Sequence, residues 1–167
     1  ATDDDSLSWF KISNGTLAIL GVNDYEARSA DIIIDDSRKL MYVSATWGGI
    51  KIFNISNLSN PTLITRYGAN IGPIGLNNGY LWALDYAEKR LVCLNVSDVT
   101  SVYEMSNISL PAQPWHGIID YDNDVAYIAY HAIDKVIAYN ISNPMNITEL
   151  GNISKSDPRV SIDWKHN

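Results

Sequence analysis

Apolar residues in this chain come in short bursts, each closed by Asn, Asp, Gly, Ser or Pro. No segment of 11 or more residues holds a 3.6-residue period, so helices are not expected and strands are. The bursts repeat. Ile50-Lys51-Ile52-Phe53-Asn54-Ile55-Ser56 aligns with Leu91-Val92-Cys93-Leu94-Asn95-Val96-Ser97 and with Val136-Ile137-Ala138-Tyr139-Asn140-Ile141-Ser142. Trp9-Phe10-Lys11-Ile12-Ser13 is a fourth copy with Lys11 at the Asn position; the spacings from Lys11 through Asn54 and Asn95 to Asn140 are 43, 41 and 45. Asp35, Asn77, Asp120 and Asp163 form a second register, each ending a short apolar run, at spacings of 42, 43 and 43. Met41-Tyr42-Val43, Leu81-Trp82-Ala83 and Ala126-Tyr127-Ile128 form a third.

Each repeat is predicted to hold four antiparallel strands, a to d. Strand a is expected at 30–34, 73–76, 117–119 and 159–162, and strand b at 40–45, 80–85 and 125–130. Strand c is the Ile50-type segment, and strand d is expected at 16–20, 62–67, 102–105 and 147–150. The a–b junctions Asp35-Asp36-Ser37, Asn77-Asn78-Gly79 and Asp120-Tyr121-Asp122-Asn123 carry hairpin-turn chemistry. Four strands in about 43 residues is the period of a β-propeller blade, with an extended β-solenoid as the competing architecture. The expected fold is therefore all-β and propeller-type, a single unit over 1–167. Three complete blades fall at 29–68, 71–110 and 114–154, and a fourth is split between 8–25 (strands c and d) and 157–167 (strand a).

The run Gly48 to Ile64, GGIKIFNISNLSNPTLI, resembles the LVIVD repeat of β-propeller proteins: a Gly-rich turn, an apolar strand, Asp-Ile/Val-Ser, an Asn-Pro or Asp-Pro turn, and another strand. Lys135 to Gly151 resembles it again, and Arg90 to Ser106 more loosely. The resemblance implies a propeller and a secreted or surface setting; it implies no activity. The chain departs from that pattern where the family has Asp before Ile-Ser, since Asn stands at 54, 95 and 140. Asn keeps the turn hydrogen bond that Asp makes.

Those three substitutions also create N-glycosylation triplets, which begin at Asn14, Asn54, Asn57, Asn95, Asn107, Asn140, Asn146 and Asn152. With 16 Asn and 23 Ser plus Thr in 167 residues, chance gives about two such triplets. The excess points to a secreted glycoprotein. The competing reading is that Asn and Ser occupy repeat-fixed turns, where their side chains bond nearby backbone. A start at Ala1 fits a mature chain after signal removal or a boundary set otherwise.

Composition narrows the partners. A net charge of −7 and a pI near 4.7 argue against nucleic acid and against anionic membranes, both of which need a basic face. No apolar run approaches the roughly 20 residues of a membrane-spanning helix. The lone Cys93 excludes an intramolecular disulfide framework; in an apolar strand c it reads as a buried hydrophobe.

Candidate chemistry is sparse. His116 and His131 bracket strands a and b of the third repeat and suit a pair at a propeller mouth; His166 stands near the end of the sequence. Trp47 and Trp115 fall in predicted loops and suit a ligand platform, because aromatic faces stack on apolar ring faces. Trp82 and Tyr127 share a strand-b register and read as core. Asp120-x-Asp122-x-Asp124 resembles the opening of a calcium loop but lacks the following Gly and the distal Glu, so the reading is turn acids with no metal. No catalytic residue and no cofactor is assigned.

The split blade implies ring closure or self-association, as a homo-oligomer or a filament. The function expected is that of a non-enzymatic, N-glycosylated extracellular repeat protein assembling with itself at a cell surface or in a fibre. The alternative is a glycan- or protein-binding module using the loop aromatics. A propeller hydrolase or lyase is the lesser alternative.

Overall fold

A computed structural model describes the backbone of residues 6–13, 16–24, 31–45 and 48–160, and side chains within 31–44, 48–72 and 74–160. Its strands follow the repeat. The hairpin of β1 (Ser6–Ser13) and β2 (Thr16–Asp24) comes first. Three four-stranded antiparallel sheets follow in chain order. Sheet 1 holds β3 (Ile32–Asp35), β4 (Leu40–Ala45), β5 (Gly49–Asn54) and β6 (Thr62–Tyr67). Sheet 2 holds β7 (Ile71–Asn77), β8 (Tyr80–Asp85), β9 (Arg90–Asn95) and β10 (Tyr103–Ser109). Sheet 3 holds β11 (His116–Asp120), β12 (Val125–Tyr130), β13 (Lys135–Asn140) and β14 (Thr148–Ser154).

Strand b was bounded correctly from sequence in all three sheets, and β6 likewise. Strands β10 and β14 run four residues further than expected. Both are bulged, between Glu104 and Ser106 and opposite Ala138/Tyr139, as β6 is opposite Ile52/Phe53; what β10 and β14 add are the runs Ser106-Asn107-Ile108-Ser109 and Gly151-Asn152-Ile153-Ser154, whose residue types read as turn rather than strand. Of the strand expected at 159–162, Arg159 and Val160 are not in a strand and the rest lies outside the described residues.

The chain divides into two compact units, residues 1–73 and 74–167. In the first, Met41, Val43, Phe53 and Ile55 form a buried cluster on sheet 1. The Gly-rich turn before β5 has a steric cause. Gly49 sits at φ +71, and a Cβ there would lie 2.2 Å from the carbonyl oxygens of Tyr67 and Gly68, so only glycine fits.

In the second unit, sheets 2 and 3 share one core. Trp82, Leu84, Leu91 and Cys93 of sheet 2 join Ile119, Ala126, Ile128, Ile137 and Tyr139 of sheet 3. Close approach is built in, since a Cβ on Gly75 would meet Ile119 Cδ1 and Tyr121 Oη at 2.8 Å. Two polar ties reinforce the packing. Asp124 Oδ1 accepts hydrogen bonds from Asn77 Nδ2 at 2.7 Å and Asn78 Nδ2 at 3.1 Å, and Ser106 Oγ donates to the Pro144 carbonyl. Tyr130 and Tyr139 share a buried hydroxyl contact of 2.9 Å.

The last residue of strand a closes the a–b turn, which explains the second register of the sequence. Asp35 accepts from Ser37 Oγ at 2.6 Å, from the Arg38 N–H at 3.1 Å and from Arg38 Nε at 2.6 Å. Burial alone would raise its carboxyl pKa, but the Ser37 and Arg38 hydrogen bonds hold it below the usual value. Asp120 accepts from the Asp122 N–H at 3.1 Å and from Asn123 Nδ2 at 2.9 Å. Asn77 at the same register donates to the neighbouring sheet instead.

Trp82 is 1% exposed, and among the described residues its Nε1–H has no hydrogen-bond partner. Trp82→Ala is expected to cost about 3–5 kcal/mol in urea unfolding. Trp82→Phe should cost less than half as much, because it also removes a buried unpaired N–H worth about 1–3 kcal/mol. Equal losses for the two variants would contradict this packing.

Candidate functional site

The repeat-fixed asparagines sit at the last residue of strand c, at the ends of β5, β9 and β13. Each folds its side chain back over the next turn. Asn54 Oδ1 accepts the Ser56 N–H at 2.8 Å, Asn95 Oδ1 the Ser97 N–H at 2.9 Å, and Asn140 Oδ1 the Ser142 N–H at 2.9 Å. The serine hydroxyls of Ser97 and Ser142 donate to the same oxygens at 2.6 and 2.7 Å. Asn57 Oδ1 makes the same turn with the Ser59 N–H at 3.0 Å. The turn explanation of the Asn-x-Ser pattern is therefore physically sound at these positions.

It does not use up the amide nitrogen, which is the atom a glycan would occupy. Accessibility then decides which asparagines can serve. Asn54, Asn57, Asn107, Asn146 and Asn152 are exposed, and Asn95 and Asn140 are half-buried. Asn95 Nδ2 donates to Tyr103 Oη at 3.1 Å, while Asn107 and Asn152 donate to Glu104 at 2.5 Å and Glu149 at 3.1 Å. All three contacts are at the surface. Asn14 lies outside the described residues.

The second candidate is an aromatic–acid cluster on sheet 3. Trp115 immediately precedes β11 and stays 61% exposed, with its N–H bonded to the Ala129 carbonyl at 2.9 Å. His131 does not end strand b as expected; it opens a short 3₁₀ turn, His131–Ile133, after β12. That turn brings its ring edge-on to the Trp115 indole, with centroids 5.3 Å apart and planes at 61°. His131 Nε2 lies 2.5 Å from Asp157 Oδ1. The Asp157 segment is tied to the same turn by the Lys155 N–H, which donates to the Asp134 carbonyl at 2.8 Å. An exposed indole beside an oriented imidazole and a carboxylate offers a stacking face with hydrogen-bonding groups at its rim.

Asp157 was not foreseen. It lies 26 residues from His131, and the pairing depends on how the segment after β14 folds back. His116, expected beside His131, lies in register with Ala129, so the residue brought to the imidazole is Trp115 instead. Trp47 and His166 lie outside the described residues.

Asp120 and Asp124 spend their oxygens on turn and inter-sheet amides. Among the described residues no group of three or more His, Cys, Asp or Glu is placed to hold a metal ion, Asp120, Asp122 and Asp124 included. Cys93 is buried, and burial, only partly offset by the Ser106 hydrogen bond, pushes its thiol up to about 12. A thiol so rarely ionised is inert at neutral pH. In sheet 2, Arg90 bridges Asp85 Oδ2 at 2.7 Å and Glu104 Oε1 at 3.3 Å, clamping strands b, c and d.

Residues 37–69 match the family model of the LVIVD repeat, which spans β4 to β6 and the Gly48–Ile64 run. No curated protein matches the sequence. Solved structures do. A protein from Lactobacillus plantarum aligns with TM-score 0.75 and 18% identity over 98% of this chain and 53% of its own. A structure from Bacteroides fragilis, provisionally named a 6-phosphogluconolactonase, aligns with TM-score 0.71 and 15% identity over 89% and 50%. A nidogen–laminin complex aligns with TM-score 0.60 and 16% identity over 84% and 52%. At such identities the likeness shows the fold, that of a β-propeller. The chain spans about half the length of these structures.

The turn role and the glycan role of strand-c asparagines are separable. Asn140→Asp keeps the acceptor oxygen and should leave urea stability within about 0.5 kcal/mol, whereas Asn140→Ala should cost about 1 kcal/mol. Equal stability of all three proteins would remove the turn from the account.

Proposed function

We propose that this LVIVD-repeat propeller chain is a non-enzymatic extracellular glycoprotein that assembles with itself at a cell surface or in a fibre. The observation that carries the reading is the disposition of its acceptor asparagines. Seven fall among the described residues, spread over strand ends, turns and outer strands, and every one is exposed or half-buried rather than enclosed. Mean strand-c geometry accounts for Asn at 54, 95 and 140. It does not account for Asn107 and Asn152 on β10 and β14, or for Asn146 in the turn between β13 and β14. Acidity adds support, since a net charge of −7 keeps glycoprotein surfaces from binding polyanions indiscriminately.

A second reading rests on a separate observation, the exposed Trp115 held against His131 and Asp157. It makes the chain a glycan- or protein-binding module. The hydrolase reading draws on the names of solved neighbours alone, lactonases from Bacteroides fragilis, Bacteroides uniformis and Pseudomonas aeruginosa, at 12–15% identity.

Intact-mass measurement of the protein from a glycosylating host, before and after enzymatic glycan removal, tests the main reading. Several glycans should be lost, and those at Asn107, Asn146 and Asn152 should be among them. An unchanged mass would overturn it. A glycan-array screen tests the second: binding above background that Trp115→Ala abolishes supports it, and an empty array removes the glycan form.

A further inference from the structure

The asparagines that end strand c are alike in sequence but differ in what stands beside them. Directly opposite residues of neighbouring strands share a face, so the register gives each asparagine two companions. Asn54 lies between Leu40 and Thr62, and Asn140 between Val125 and Thr148. Asn95 lies between Tyr80 and Tyr103. The position on the outer strand is therefore Thr in sheets 1 and 3 and Tyr in sheet 2. All three of these side chains are exposed, Tyr103 at 54%.

The repeat itself does not call for a ring at 103. Sheets 1 and 3 make the same strand pairing and the same asparagine turn with Thr in that place, and Thr is a good strand residue. A tyrosine there leaves apolar ring surface in water. What it adds is an aromatic face beside an acceptor amide. Asn95 Oδ1 is held by the Ser97 N–H and hydroxyl at 2.9 and 2.6 Å. That fixes the amide plane, and Nδ2 turns to the outer strand, where it donates to Tyr103 Oη at 3.1 Å.

We infer that Tyr103 is the seat of the first sugar of a glycan on Asn95. The inference rests on the glycoprotein reading above and names the acceptor at which the fold itself holds the glycan. Transfer from a phosphate-activated sugar donor forms the bond from Asn95 Nδ2 to the anomeric carbon, breaks that carbon's bond to the phosphate oxygen, and releases one Nδ2 hydrogen as a proton. The linked pyranose then starts from an atom 3.1 Å from Tyr103 Oη, and its apolar C–H face lies on the exposed tyrosine ring. The stacked sugar covers that ring and ties β9 to β10 at the end of the sheet where the c–d turn begins. Glycans on Asn54 and Asn140 have a threonine beside them on the outer strand and no ring there to lie on.

Tyr103→Thr installs the residue that sheets 1 and 3 already accept, so the chain should still fold. Melting temperatures of the wild type and Tyr103→Thr are compared in three forms: made in a bacterial host that adds no glycan, made in a eukaryotic host, and the eukaryotic product trimmed by an endoglycosidase to the single N-acetylglucosamine at each site. Peptide mass mapping reads the occupancy of Asn95. Asn95 should be occupied, and Tyr103→Thr should lower the melting temperature by about 2–4 °C more in the glycosylated and trimmed forms than in the sugar-free form. An equal loss in all three forms makes Tyr103 a partner of the amide alone and overturns the inference. An excess loss that trimming abolishes overturns it too, because the contact then lies beyond the first sugar. So does an unoccupied Asn95 while Asn107, Asn146 or Asn152 carries glycan. In each of these cases the glycoprotein reading stands. No glycan at any acceptor removes the inference and that reading together.

Discussion

Everything in this chain depends on sheets covering sheets. A four-stranded sheet whose residues are apolar on both faces cannot be stable in water by itself. Its burial has to come from neighbours of the same kind. The core between sheets 2 and 3 is the clearest instance. Trp82 and Leu91 from one side and Ile128 and Ile137 from the other are at most 3% exposed. Glycines at 75 and 117 let strand backbones approach closely enough for Ile119 and Ile74 to fill the gap. At roughly 25 cal/mol per Å² of apolar area, such contacts outweigh any single hydrogen bond described for the molecule.

Polar groups then set register rather than supply bulk stability. Asp35 and Asp120 gather the loose N–H groups of the a–b turns, and Asn54, Asn95 and Asn140 do the same after strand c. The tie from Asn77 and Asn78 to Asp124 fixes one sheet against the next. A slip of one residue would turn every buried side chain of a strand to the opposite face, so the polar punctuation is what lets near-identical strands find one pairing.

Much of this was legible in the sequence, for a physical reason: strands b and c are six residues long in all three sheets. The uneven spacings of 41 and 45 arise outside them. The a–b turn has two residues in sheet 2, Asn78 and Gly79, and four in sheets 1 and 3. Two of the outer strands, β10 and β14, were harder to bound, because their last four residues, Ser106–Ser109 and Gly151–Ser154, are rich in turn-forming types. The site was less legible still. Trp115 and His131 stood out as loop residues of useful chemistry. Their partner Asp157 did not, because no local pattern links it to a turn 26 residues earlier; only the return of the chain after β14 joins them.

The two-residue turn at Asn78–Gly79 carries a further meaning. Both residues are left-handed, at φ +49 and +81, which is the tightest way to join two antiparallel strands. Its counterparts in sheets 1 and 3 reach the same strand positions with four residues, ending in left-handed Lys39 and Asp124. The same sheet geometry thus accepts turns of different length without changing the face of any side chain beyond them. For an engineer, that makes the exposed tip of the sheet 1 a–b hairpin, between Asp36 and Ser37, a natural insertion point, whereas the tips in sheets 2 and 3 carry the contact between Asn78 and Asp124.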